Sequence, residues 1–117
     1  MRRLLMSLAL AVIATGAHAA NLAGTWDVDG SVYGNAVKYT CALQQDGETL
    51  TGKAHMDDKD YAVTGTTKDQ AATWQFDVEY NGAPLTLVFS GTLSSDTAIK
   101  GKIAVAGVEG EFSAAKK

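Results

Sequence analysis

Past residue 20, apolar side chains recur at every second position, and no window carries a 3.6-residue apolar period. Trp26, Val28 and Val32 alternate with Asp27, Asp29 and Ser31, and Val37, Tyr39, Cys41 and Leu43 alternate with Lys38, Thr40 and Gln44. Leu50, Gly52, Ala54 and Met56 form a third run, and Tyr61, Val63 and Gly65 a fourth. Trp74, Phe76, Val78 and Tyr80, set between Gln75, Asp77 and Glu79, give the cleanest two-faced strand. Leu85 to Leu93, Ile99 to Val105 and Val108 to Phe112 complete the pattern. Eight strands are predicted, each apolar on one face.

Polar breaks separate the runs. Asp46-Gly47 and Asn81-Gly82 suit the positive-φ positions of tight hairpins, Ser95-Asp96 and Lys68-Asp69-Gln70 supply further turns, and Gly107 divides the last two strands. Asp57-Asp58-Lys59-Asp60 reads as a polar turn, and Gly30 to Asn35 as a loop carrying Tyr33. Pro84, the single proline, falls at a strand start, where its missing N–H does least harm. Strands return about every 12 residues, as in an antiparallel meander. Crossover helices do not fit into such connections, so a parallel sheet is excluded.

Five strand interiors repeat an apolar-polar-glycine form: Leu50-Thr51-Gly52, Val63-Thr64-Gly65, Phe89-Ser90-Gly91, Ile99-Lys100-Gly101 and Val108-Glu109-Gly110. Every one of these glycines has inward parity. Interior glycine weakens a strand, so five in register imply a geometric need. Strongly coiled barrel strands bend at such points, and aromatic side chains cover them. Clearing space for a ligand is the other use. The fold class expected is therefore all-β, a single antiparallel up-and-down eight-stranded β-barrel, with a two-sheet sandwich as the rival.

The N-terminus changes the picture of where this barrel works. Met1-Arg2-Arg3, the apolar run Leu4 to Ala14 and the triplet Ala17-His18-Ala19 match the three parts of a secretory signal peptide. The apolar run is too short for a membrane span, which needs about 20 residues. The expected division is 1–19 as a signal peptide and 20–117 as the β-barrel domain, periplasmic or secreted. Both arginines leave with the leader, so eight lysines face thirteen carboxylates and the net charge becomes −5. That balance argues against nucleic acid, and no later stretch is long enough for a membrane span.

Candidate chemistry is thin. Cys41 is the single cysteine, so no internal disulfide forms, and its parity with Tyr39 and Leu43 puts it inside as a small hydrophobe. His55 has the opposite parity, which separates it from Cys41 across the sheet and leaves no nucleophile pair. No serine sits in a nucleophile elbow, and Asp57, Asp58 and Asp60 lack the ligand set of a calcium loop. The chain reads as no enzyme, with no metal and no cofactor. Trp26, Tyr39, Tyr61, Trp74 and Phe89 are the expected lining of any ligand pocket, with Tyr33 closing one mouth.

The opening Leu22-Ala23-Gly24-Thr25-Trp26 resembles the Gly-x-Trp start of lipocalin-like and avidin-like barrels, and Asp46 to Gly52 with the later strand glycines is similar to the avidin-like meander. The pattern also resembles small exported bacterial barrels and periplasmic metalloprotease inhibitors. The resemblance implies an up-and-down barrel with a pocket at one mouth. It does not carry biotin binding, because only Trp26 and Trp74 remain of a tryptophan-ringed site, and a lone Cys41 cannot form the inhibitors' disulfide. Two functions remain open: a carrier of a small apolar or aromatic molecule, and a filled barrel that binds a protein partner as an inhibitor or envelope accessory factor.

Overall fold

The computed structural model describes residues 21–117. The leader expected over residues 1–19 lies outside the described residues. Eight strands follow one another: β1 (Gly24–Val32), β2 (Asn35–Asp46), β3 (Thr49–Met56), β4 (Lys59–Lys68), β5 (Ala71–Tyr80), β6 (Ala83–Ser95), β7 (Ala98–Val105) and β8 (Val108–Lys116). Each pairs antiparallel with the next, and β8 returns to β1 through Trp26–Lys116 to Ser31–Glu111, closing the barrel. The chain is therefore the closed meander that the alternation and short connections predict, and the sandwich is excluded.

Every connection is two residues long. The Gly30–Asn35 stretch is mostly strand, with only Tyr33-Gly34 turning, and Asp57-Asp58 alone turns where four residues were expected. The reason is handedness. Tyr33 and Gly34 sit at φ 57° and 76°, Asn81 and Gly82 at 54° and 79°, Ala106 and Gly107 at 51° and 83°. Two consecutive left-handed residues give the turn whose twist matches paired strands, so the ladders run up to the turn. Asp57 and Asp58 adopt the same geometry, at φ 53° and 64°, without glycine. Relieving that left-handed strain, Asp58→Gly should stabilise the fold by about 0.5 kcal/mol, raising the melting temperature by about 2–4 °C in a thermal scan.

The inward glycines serve closure. A Cβ built on Gly52 would strike the Ala42 carbonyl, one on Gly65 the Thr73 carbonyl, one on Gly101 the Ser90 carbonyl, and one on Gly110 the Ser31 carbonyl. These positions face the backbone of the neighbouring strand, so larger side chains there would collide with the wall before filling any lumen. Gly91 differs: its Cβ would lie 2.8 Å from Ile99 Cγ2 and 3.1 Å from Phe112 Cζ, with the ring covering the kink as expected.

Inside, the core is continuous from one end to the middle. Leu22 precedes β1 yet is fully buried, its N–H donating to Gln45 Oε1 at 2.7 Å and its carbonyl accepting from Trp26 Nε1 at 3.0 Å. Leu22 and Trp26 thereby plug the end of the barrel where β1 begins. Thr67 also points inward there, buried, donating to the Ala71 carbonyl at 2.9 Å.

Candidate functional site

The middle of the barrel is packed with rings. Phe89 lies between Trp74 and Phe76, stacked on both with centroids 5.8 Å apart and planes 8° from parallel. Tyr39 meets Phe76 and Phe89 edge-on at 5.0 and 5.3 Å, and Phe112 meets Trp74 and Phe89 at 5.6 and 5.3 Å. The Tyr39 hydroxyl accepts a hydrogen bond from Trp74 Nε1 at 2.9 Å. Burial keeps that hydroxyl protonated far above the ordinary tyrosine range, a push that the Trp74 hydrogen bond only partly opposes. Among the described residues its own proton has no acceptor within hydrogen-bond distance.

The five pocket residues expected from the sequence thus occupy different levels. Trp26 belongs to the plug, Tyr39, Trp74 and Phe89 belong to the central ring cluster, and all four are buried. Tyr61 is half-buried at the opposite end, its ring stacked on Phe76 at 5.8 Å. Tyr33, expected as a lid, stands 81% exposed on its turn, so it closes nothing in this conformation.

That opposite end is different in kind from the plugged one. Each strand contributes one half-buried apolar side chain there: Val32, Val37, Met56, Tyr61, Val78, Leu85, Val105 and Val108. The β4–β5 hydrogen-bond ladder also ends before this level. The β4–β5 ladder runs from Lys68–Ala71 to Thr64–Gln75 and stops, although both strands continue for five residues more. Over Lys59–Tyr61 and Val78–Tyr80 the strands keep only their outer neighbours, β3 and β6, leaving a seam whose inner side carries Tyr61 and Val78. Of these eight, only Tyr61 was expected from the sequence to line a pocket. The signal for the rest was the apolar residue that ends or begins a run beside each turn.

No family model and no curated protein matches the chain. Its overall shape is shared with solved β-barrels. A redesigned β-barrel, b11L5F_LGL, superposes with a TM-score of 0.64 at 19% identity, covering 82% of this chain and 90% of that one. The fold is the same. The redesigned barrel mFAP1, bound to DFHBI, gives 0.57 at 17% identity, with 82% and 94% covered, and EF1p2_mFAP2b, also bound to DFHBI, gives 0.55 at 16%, with 82% and 93% covered.

The remaining reactive groups lie apart. Cys41 is buried among apolar neighbours, which pushes its thiol up to about 12. His55 is exposed on the outer face, its Nδ1 2.8 Å from Asp60 Oδ1 on the neighbouring strand. A shallow outer depression of about 350 Å³ runs beside it between Asp27, Lys38, Thr40 and Asp57. Among the described residues, no three metal-ligating side chains converge, and no helix is long and apolar enough to cross a membrane.

Proposed function

We propose that the protein is an exported binding barrel that holds one small apolar or aromatic molecule at its open end. The observation that carries this reading is the ring of eight half-buried apolar side chains at the unplugged end, beside the unpaired ends of β4 and β5. Apolar side chains left in partial contact with water gain about 25 cal/mol for each Å² a ligand covers. The floor of the site is the rigid ring cluster headed by Phe76 and Tyr39, so the ligand stacks on Tyr61 and Phe76 rather than replacing core side chains. Binding of DFHBI, a small aromatic molecule, by barrels of the same fold is consistent with this use of the architecture. The reading includes no catalysis, and it keeps the periplasmic or secreted location expected from residues 1–19.

The test is fluorescence titration of the purified protein with N-phenyl-1-naphthylamine, a neutral aromatic probe. One-to-one binding with enhanced emission is expected. Val78→Asn, which puts an amide in the mouth ring, should weaken it about tenfold while leaving the far-ultraviolet circular dichroism unchanged. Absence of binding by the wild-type protein would sink the carrier reading in favour of a protein-binding barrel.

A further inference from the structure

The hydrogen bonds missing between β4 and β5 can be named. Asp57-Asp58 and Asn81-Gly82 are two-residue turns, so Met56–Lys59 and Tyr80–Ala83 are bonded pairs. From them, bonded and non-bonded pairs alternate along each antiparallel ladder. Tyr61 and Val63 therefore bond to β3, and Phe76 and Val78 to β6. Asp60 and Ala62 on β4, and Asp77 and Glu79 on β5, turn their N–H and C=O the other way, into the seam. The ladder that would pair them ends at Thr64–Gln75, and no other backbone hydrogen bond among the described residues involves them. At every other strand interface, at most one facing pair of strand residues lies beyond the ladder. All four residues are exposed, so water reaches these groups.

These open backbone groups stand directly beside the apolar ring, because Asp60 and Ala62 flank Tyr61, and Asp77 and Glu79 flank Val78. Two strand edges that face each other present donors and acceptors on both sides. A secondary amide answers both, since its N–H and C=O point in opposite directions within one plane. An ester or a tertiary amide accepts but has no proton to donate. From this juxtaposition we infer that the small molecule held at the open end carries a secondary amide. Its apolar or aromatic body lies on Tyr61 and Val78, and the amide bridges the two edges beside them. The amide C=O accepts from an N–H of one strand, and the amide N–H donates to a C=O of the other. The inference rests on the binding-barrel reading and adds the ligand's polar group to it.

Three neutral probes with the same ring test it, each titrated by calorimetry into the purified protein: N-(1-naphthylmethyl)acetamide, its N-methyl derivative and 1-naphthylmethyl acetate. The secondary amide should bind about fivefold tighter than the other two, the margin of one added hydrogen bond. Backbone amide exchange followed by nuclear magnetic resonance gives the location. The N–H groups of Asp60, Ala62, Asp77 and Glu79 should exchange quickly in the free protein, and at least one should slow when the secondary amide is bound. Equal binding of all three probes, or no slowing at any of the four, overturns the amide assignment while the carrier reading stands. Binding of none of them removes both.

Discussion

Replacing Phe89 with alanine should cost about 3–5 kcal/mol, the largest loss expected for any core truncation in this barrel. Phe89 is fully buried and touches four other rings, two stacked and two edge-on. Its removal takes away ring–ring contacts that add about 0.5–1.5 kcal/mol per pair beyond area burial. The neighbours cannot slide into the void. Trp74 is tied through Nε1 to the Tyr39 hydroxyl, and Phe112 is held over Gly91. The cavity should therefore persist rather than collapse, placing the loss at the upper end of the range. Urea unfolding followed by tryptophan fluorescence would measure it, and a loss under about 2 kcal/mol would mean the cluster repacks.

The second large effect comes from adding one carbon rather than removing many. Gly101→Ala should destabilise by about 3 kcal/mol, because its Cβ would strike the Ser90 carbonyl and approach the Gly91 backbone directly opposite. Those atoms belong to the paired strand, so relief requires parting the ladder. Gly34→Ala is the comparison. No atom lies within 4 Å of its added Cβ, and the cost comes only from φ 76°, about 1 kcal/mol. Paired melting curves in which Gly101→Ala costs no more than Gly34→Ala would refute the closure role of the inward glycines.

The strands were legible because each has one wet and one dry face, and the period of two survives in every run from Trp26 to Phe112. The inward glycines were legible as a pattern but not in purpose. Whether a missing side chain clears the lumen or lets two backbones approach depends on strand stagger, which no single strand encodes. The candidate site was read through residue type. Trp26, Tyr39, Trp74 and Phe89 are aromatic and inward, yet height along the barrel decides whether such a ring faces a ligand or the core. Of the five, only Tyr61 lies at the level of the half-buried apolar ring. The ladder gap above Thr64–Gln75 has no sequence signature, since both strands keep perfect alternation through it. Leu22 was missed as a plug because it precedes the alternating pattern that identifies a strand.

The pairing of the first strand with the last has a consequence for how the molecule comes to exist. In a meander each hairpin is a local contact that forms early, but Trp26 meets Lys116 only when nearly the whole chain is present. The entropy of that final loop closure must be met before its contacts contribute, so joining β1 to β8 is the slow, late event of assembly. Until then β1 and the growing edge each present a bare row of backbone donors and acceptors, the surface on which chains aggregate. A polypeptide made vectorially therefore has its most vulnerable moment just before its last nine-residue strand arrives.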